Sequence, residues 1–321
     1  MGLGGFIAVR FEGQATEIPA PQARPLARMA SMAPASPFTL LESLPPPLEG
    51  ALAALRQQLV GLGRVVVAYS GGVDSALVAA LAAEVLGDRA LAITGVSAAL
   101  APHLLEEARA QALWLGIRHQ EQPTAELADP AYTSNPEDRC YACKRELHGL
   151  LTPIAAAAGG ARVLDGVNLD DLGDHRPGLR AAREYGVLSP LAEVGLDKAG
   201  VRQVSRALGL PWWDKPAQPC LASRFPYGEP ISAARLRRVA AAEDWLRQQG
   251  FRDLRVRSQG ETARIELALA CLPGALQRLV ADDFRQALVQ AFGALGFSAV
   301  GLDLEGLVSG KLNRDLNSNK K

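Results

Sequence analysis

Residues 64–75 read RVVVAYSGGVDS, in which three consecutive valines predict a fully buried β-strand. A helix follows through Leu81 and Val85. Glycines between a strand and a helix let the chain turn sharply, so that successive N–H groups point at one spot near the positive end of the helix. With the hydroxyls of Ser70 and Ser75, this loop predicts a cradle for an anion such as pyrophosphate. It differs from the ATPase P-loop, because no Gly-Lys-Ser/Thr follows at that motif's spacing.

On both sides of this loop the sequence alternates between strand and helix patterns. Strands are predicted at 64–69, 90–94, 116–120, 163–165 and 186–190, with amphipathic helices between them. Such repeats predict an α/β fold with a parallel sheet covered by helices on both faces, which binds ligands at the carboxyl ends of its strands. A smaller α+β domain is predicted to follow, with helices at 232–249 and 275–293 and strands at 254–258, 263–269 and 300–304.

Length and composition bound the possible functions. The 321 residues suggest about two domains, which we place at 48–228 and 229–321 after a loose, proline-rich tail at 1–47. Lys and Arg (34) balance Asp and Glu (34), so a nucleic-acid partner is disfavoured. No apolar run reaches the ~20 residues that cross a membrane, which predicts a cytoplasmic protein without a membrane partner. Four cysteines in so long a chain indicate a metal site or catalysis rather than a disulfide framework.

Three cysteines form a candidate metal site. Cys140 and Cys143 have CxxC spacing, and Cys220 lies far along the chain. Three thiolates can bind three irons of a [4Fe–4S] cluster and leave the fourth iron open. A structural zinc site would need Cys271 as its fourth ligand, and Cys271 looks more like a core cysteine. The cysteines alone leave redox, zinc and cluster chemistry open.

The hexapeptide 70–75 resembles the signature of the PP-loop ATP pyrophosphatases, and the resemblance spans about residues 48–225. It implies cleavage of ATP to AMP and pyrophosphate. The loop residues that would bind the nucleotide are Ser70, Gly71, Gly72, Asp74 and Ser75, with Asp74 also holding Mg²⁺. The resemblance further implies that Ala68 and Ser97 lie near the adenosine.

Three further segments resemble the LarE family, namely PCLASRFPYG (219–228), NPEDRCY (135–141) and LDGVN (164–168). The resemblance implies an ATP-dependent sulfurtransferase that adenylates a carboxylate of pyridinium-3,5-dicarboxylic acid mononucleotide and converts it to a thiocarboxylate. Some members sacrifice one cysteine sulfur, whereas others hold a [4Fe–4S] cluster with three cysteines. Cys140, Cys143 and Cys220 match the second type. The resemblance also implies a homo-oligomer, and it leaves the source of sulfide open.

Two arginines and a glutamate mark a substrate site in the smaller domain. Arg255 and Arg257 share one face of a strand about 7 Å apart, where they could grip a phosphate. Glu243 falls at an inward helix position, where a carboxylate needs a partner. A solvated strand face and a local salt bridge are the alternatives by periodicity alone. The LarE resemblance favours the substrate site, to which we add Arg224, with Asp74, Cys220 and Glu243 as the catalytic residues.

Other functions remain open at this point. A PP-loop tRNA thiolase would need a basic surface, and an ammonia-using PP-loop synthetase would not need three cysteines. A non-enzymatic nucleotide- or zinc-binding protein would bind ATP without releasing pyrophosphate. The acidic loop with Asp170, Asp171 and Asp174 could bring a second metal ligand, but we expect it to be solvated.

Overall fold

The computed structural model describes residues 38–173, 177–308, 310–311 and 314. Its larger sheet contains four parallel strands, β1 (Val65–Ala68), β2 (Ala90–Val96), β3 (Arg118–Pro123) and β4 (Arg162–Leu164). They lie in the order β3-β2-β1-β4, with all neighbouring pairs parallel. The predicted α/β class with a parallel sheet is therefore confirmed.

Helices alternate with these strands and continue into the smaller domain. In chain order they are α1 Pro46–Leu62, α2 Val73–Leu86, α3 Pro102–Leu115, α4 Pro130–Thr133, α5 Arg139–Ala157, α6 Leu169–Gly173, α7 Gly178–Glu184, α8 Pro190–Glu193, α9 Lys198–Ala207, α10 Ala233–Gln248, α11 Leu272–Val280 and α12 Asp282–Ala294. The helix after the glycine loop, α2, is apolar on every side and packs between α1 and α9. All four residues of β1 are buried beneath it, so the glycine loop joins two fully buried elements.

The predicted fifth strand at 186–190 is wrong. Only Leu188 forms a parallel bridge with Leu164 on β4. Gly186 has a positive φ of 63°, and Pro190 begins helix α8. Because a proline cannot donate to a sheet and here starts a helix, the strand does not extend beyond this single bridge.

The smaller sheet contains β5 (Leu254–Gln259), β6 (Thr262–Leu267) and β7 (Ala299–Leu302). β5 and β6 form an antiparallel hairpin, and β7 lies parallel to β6. The single helix predicted at 275–293 is instead α11 and α12, separated at Ala281, which is extended with φ −61° and ψ 132°. Asp282 and Asp283 occupy the first turn of α12, where the helix dipole favours negative charge.

The end of the predicted tail is packed onto the larger domain. Phe38 and Leu44 are buried in its core. The Phe38 amide donates to Glu84 at 3.1 Å, and the Arg56 side chain binds the same carboxylate. The loose tail therefore does not extend to residue 47, and residues 1–37 lie outside the described part of the chain. Within the described residues, no helix has the length and apolarity needed to cross a bilayer.

Candidate active site

The glycine loop adopts a conformation that only glycine accommodates at its centre. Gly71 has a φ of +67°, and a Cβ atom there would lie 3.1 Å from the Cβ of Ala108. The Ser70 and Ser75 hydroxyls are 3.1 Å apart, and the Ser75 hydroxyl accepts the Ser70 amide at 3.2 Å. The loop is therefore closed upon itself at the amino end of α2, where the helix dipole favours an anion.

Gly166 supports this loop from the strand next to β1. A Cβ atom at Gly166 would lie 2.6 Å from the Ser75 amide nitrogen and 2.9 Å from its Cα. The chain leaving β4 thus touches the backbone of the first turn of α2. Sequence analysis did not single out Gly166, although it lies within segment 164–168. The sequence feature that could have identified Gly166 is its position directly after a predicted strand.

Lys215 is a second residue that sequence analysis missed. Its ammonium is buried and donates to the Gly71 carbonyl at 2.9 Å, while forming an ion pair with Glu107 at 2.7 Å. A buried lysine beside an anion loop is costly unless it is paired. Lys215 therefore fixes the orientation of the loop peptide and adds positive charge next to the cradle.

Asp74 lies at the start of α2 and is mostly buried. Burial raises its pKa, the hydrogen bond from Asn168 (2.9 Å) lowers it, and the nearby charge of Asp171 raises it again. A carboxylate under such repulsion is stabilised by a cation, and Mg²⁺ commonly binds one or two carboxylates together with phosphate oxygens. The residues present therefore fit the ion that the sequence predicted at Asp74.

The acidic loop is only partly solvated. Asp170 is exposed and accepts the Lys198 amide, as expected for a surface residue. Asp171 is buried and forms an ion pair with Lys198 at 3.2 Å, so the solvated interpretation is wrong for this residue. Helix α6 turns Asp171 back toward Asn168, which explains the burial. Asp174 lies outside the described residues.

The two positions predicted to lie near the adenosine stand at one edge of the sheet. Ala68 is the last residue of β1, and Ser97 directly follows β2, its neighbour. The Ser97 hydroxyl donates to the buried Glu126 carboxylate and accepts the Ala99 amide at 3.1 Å. Both residues therefore lie at the carboxyl edge, beside the glycine loop, where ligands bind in such sheets.

Asn135 joins the segment that carries Cys140 and Cys143 to the segment that follows Cys220. It is fully buried with a positive φ of 56°. Its side-chain amide donates to the Pro226 carbonyl at 2.6 Å and to the Glu229 carbonyl at 3.1 Å. The contacts bring together two segments about ninety residues apart in the chain.

The three predicted cysteines share one electrostatic environment. Cys140 and Cys220 are exposed, and Cys143 is half-buried. Burial raises the pKa of the Cys143 thiol to about 12, and the charges of Cys220 and Cys140 contribute to this shift. Burial also raises the pKa of Tyr227, which both Cys140 and Cys220 raise further.

The described residues contain no group of three His, Cys, Asp or Glu side chains that would hold a single metal ion at the three cysteines. Cysteines that hold a cubane bind different irons, so they need not converge on one point as zinc ligands do. Cys271 lies in a short 3₁₀ turn of the smaller domain and is half-buried, rather than a buried core residue at the end of a strand.

Glu243 is a buried anchor for arginines. It is fully buried, and Arg224 donates to its two carboxylate oxygens at 2.7 and 3.1 Å. Arg247 and the Val256 amide each add a hydrogen bond of 3.0 Å. Four donors saturate the carboxylate, so the geometry does not support the predicted catalytic role of Glu243 and instead assigns it to holding Arg224.

The predicted pair of Arg255 and Arg257 is brought together, but the two side chains differ. Arg257 is buried and binds Glu266 at 2.8–2.9 Å, while it also donates to the Ser223 carbonyl at 2.5 Å. Arg255 forms no hydrogen bond or ion pair with another described side chain. Burial, together with the charges of Arg224 and Arg257, lowers its pKa to about 10. Arg255 is therefore a cation whose charge the neighbouring carboxylates do not neutralise.

A basic cavity of about 270 Å³ adjoins this cluster. Its charged lining residues are Arg224, Arg257, Arg264, Glu266, Lys311 and Arg314. Arg257 and Arg264 lie directly opposite each other on β5 and β6, where like charges are unfavourable without a counter-charge. Glu266 supplies part of it from inside the hairpin. Asp303 and Glu305 pair with Arg264, Lys311 and Arg314, which leaves a small excess of positive charge beside the cavity.

Comparisons with known proteins identify related sequences. The NAD synthase family matches residues 52–139, which include the glycine loop. The pyridinium-3,5-bisthiocarboxylic acid mononucleotide synthase of Lactiplantibacillus plantarum is 38% identical over 82% of this chain and 94% of that protein. An uncharacterised protein of Synechocystis is 56% identical over 84% of this chain and 99% of that protein. An uncharacterised protein of Methanocaldococcus jannaschii is 28% identical over 75% of this chain and 90% of that protein.

Replacement of Gly166 by alanine should disturb the anion loop. The new methyl group would push against the Ser75 backbone, and such overpacking costs about 1–3 kcal/mol. We expect Gly166→Ala to weaken binding of a non-hydrolysable ATP analogue by roughly tenfold or more in a calorimetric titration. Gly173→Ala is the matched control, because a Cβ atom at Gly173 meets nothing within 4 Å. Equal affinities for the two variants would contradict the proposed contact.

Loss of the Glu243 charge should destabilise the fold. In Glu243→Gln, Arg224 and Arg247 lose their buried counter-charge, so urea unfolding should show a loss of about 3–5 kcal/mol. Glu261→Gln, which removes an exposed pair with Arg238, should cost about 1 kcal/mol or less.

The effect of Glu243 should depend on pH. Burial raises the pKa of Glu243, but the Arg224 and Arg247 charges outweigh it and leave the folded pKa below its usual value. The stabilisation is therefore present above the unfolded value of about 4.3 and is lost as the pH falls through the folded pKa. A wild-type advantage over Glu243→Gln that grows on acidification would contradict this assignment.

Proposed function

The chain belongs to the LarE family of PP-loop enzymes and is an ATP-dependent sulfurtransferase, and from this premise we propose that it converts a carboxylate of pyridinium-3,5-dicarboxylic acid mononucleotide to a thiocarboxylate. The observation that carries the proposal is the position of Cys220. Arg224 donates to the Pro219 carbonyl at 2.9 Å and, at 3.4 Å, to the carbonyl of Cys220 itself. A potential sulfur site thus adjoins a group of arginines that suits an anionic nucleotide.

The first step would activate the carboxylate. A carboxylate resists attack because its leaving group would be oxide, so one of its oxygens attacks the α-phosphorus of ATP and pyrophosphate leaves. The backbone amides and hydroxyls of the loop from Ser70 to Ser75 would bind the pyrophosphate portion. Asp74 would hold Mg²⁺ on the phosphates, and Lys215 would balance their charge. Ala68 and Ser97 would border the adenosine.

The second step would replace AMP by sulfur. Hydrosulfide attacks the acyl carbon, AMP leaves with the electrons of the broken C–O bond, and a thiocarboxylate remains. Cys140, Cys143 and Cys220 would hold a [4Fe–4S] cluster, whose fourth iron, free of protein ligands, supplies a place for sulfide to bind. Cys220 would bring this sulfur source beside the substrate.

The arginines would position the substrate. Arg255 offers a charge that no neighbouring carboxylate neutralises, and Arg224 and Arg257 are held rigidly by Glu243 and Glu266. Together they would bind the phosphate of the mononucleotide. We further propose that the boundary between the two domains lies at 228–229 and that the protein works in the cytoplasm as a homo-oligomer.

The proposed mechanism assigns sulfur transfer to the three cysteines and pyrophosphate release to the glycine loop. Cys140→Ala, Cys143→Ala and Cys220→Ala should each abolish the brown chromophore and sulfur transfer, while substrate-dependent pyrophosphate release persists. Asp74→Asn should abolish pyrophosphate release and leave the chromophore intact. Cys271→Ala is the matched control and should retain the chromophore, sulfur transfer and pyrophosphate release.

Iron and sulfide analysis after anaerobic purification, combined with intact-protein mass spectrometry, measures these outcomes. An unchanged protein mass after several sulfide-fed turnovers is expected. A loss of the mass of H₂S at Cys220 after a single turnover would instead show a sacrificed cysteine and contradict the cluster. A colourless protein with one zinc would also contradict it.

Removal of the Arg255 charge should affect the two ligands differently. Arg255→Met should weaken binding of a phosphorylated pyridinium nucleotide by about ten- to a hundredfold, as expected for a lost charge-assisted contact. Binding of ATP should stay the same. Arg237→Met, on the exposed side of α10, should change neither affinity. Equal losses for both ligands in Arg255→Met would show a folding defect and contradict a substrate contact.

A further inference from the structure

Tyr132 carries a buried hydroxyl group without an acceptor. The residue lies in the short helix α4 and is 1% exposed. Among the described residues, no hydrogen-bond partner is available to its hydroxyl. Buried tyrosine hydroxyls normally find a partner, because leaving one unpaired costs free energy. The hydroxyl is therefore available to donate to an acceptor that the polypeptide itself does not supply.

The surroundings of the ring identify the missing acceptor. Tyr132 belongs to the same apolar cluster as Ala142 and Leu221, and Cys143 packs against that cluster. Ala142 and Leu221 adjoin two of the three proposed cluster ligands in sequence, Cys143 and Cys220. Burial raises the pKa of Tyr132, and the charges of Cys220 and Cys143 raise it further. Glu126 also contributes, but one of its carboxylate oxygens already accepts the Ser97 hydroxyl.

The backbone around Tyr132 is firmly held. The Tyr132 amide donates to the Asp129 carbonyl at 2.9 Å, and the Tyr132 carbonyl accepts the Asn135 amide at 3.0 Å. The Asp129 side chain caps the helix by accepting the Ala131 amide at 2.9 Å. The next residue, Thr133, accepts the Ile231 amide at 2.8 Å. Because both flanks are fixed, the hydroxyl is preorganised in its buried position.

We propose that Tyr132 is a positioning residue that donates its hydroxyl hydrogen to a sulfur atom of the cluster held by Cys140, Cys143 and Cys220. The inference rests on the proposed function, because it requires a cluster at that site. A hydrogen bond to sulfur stabilises the reduced, more negatively charged state of a cluster and so raises its reduction potential. Tyr132 would thereby set the potential and fix the orientation of the cluster.

Tyr132→Phe and Tyr141→Phe form a matched pair of variants. Tyr141 adjoins Cys140 in sequence, but its hydroxyl donates to Glu184 at 2.8 Å. After anaerobic reconstitution, iron and sulfide contents should be the same in both variants and the wild type. A redox titration should show a lower midpoint potential for Tyr132→Phe and an unchanged one for Tyr141→Phe. Without the cluster, Tyr132→Phe should unfold at the same or a higher urea concentration than the wild type, because no hydrogen bond is lost.

Different failures have different meanings. An unchanged potential in fully loaded Tyr132→Phe would overturn the role of Tyr132 and leave the cluster intact. A clear loss of stability in cluster-free Tyr132→Phe would assign the hydroxyl to a protein acceptor and overturn it as well. A wild-type protein that takes up no iron and sulfide would refute the cluster itself, and the inference with it.

Discussion

The buried amide of Asn135 is the contact on which the geometry of the proposed sulfur site depends. Cys140 and Cys143 lie in the first turns of helix α5, whereas Cys220 lies in a loop about eighty residues later. The three cysteines therefore do not share one helix or strand. The amide donates to two carbonyls of the later segment, and its oxygen accepts the Arg139 guanidinium at 2.6 Å. Asn135 also holds a left-handed backbone, which asparagine tolerates better than most residues. One side chain therefore fixes both the turn before α5 and the approach of Cys220.

The charges of the smaller domain follow from how its buried ions are paired. Glu243 and Glu266 are fully buried, and their shortest contacts are with Arg224 and Arg257 respectively. These pairs hold the guanidinium groups in place without neutralising the whole cluster, because Arg255 adds a cation that forms no ion pair with a described carboxylate. Buried ion pairs are weak evidence for stability but strong determinants of geometry. The cluster is thus suited to recognition of an anion at a fixed position.

The sequence predicted the parts of the fold that depend on local pattern. Three consecutive valines and a glycine pair were enough to place β1, the loop and α2. The prediction failed where tertiary packing decides the outcome, as at Pro190, which starts a helix instead of ending a strand, and at Ala281, where one helix becomes two. Burial of Asp171 likewise depends on a fold-back toward Asn168, which no periodicity encodes.

The residues of the candidate site also fall into those with a local sequence signal and those that depend on tertiary packing. Motif residues such as Asp74 could be found because their spacing is local. Lys215 and Gly166 were missed because their roles exist only through contact with the loop, which lies 144 residues from Lys215 along the chain. The opposition of Arg257 and Arg264 could be anticipated only once the hairpin register was known. Long-range contacts of this kind carry no signature in a single sequence.

The two halves of the site lie close enough to share charges, as the environment of His103 shows. Burial lowers the pKa of His103 to about 4, and four other side chains contribute. Two of them, Glu107 and Lys215, border the glycine loop, and the other two, Arg247 and Glu243, belong to the arginine cluster. His103 is thus within electrostatic range of both groups and is neutral at pH 7. Under the proposed function, this proximity would keep an acyl adenylate formed at the loop close to the arginines that bind the substrate and so would limit its hydrolysis by water.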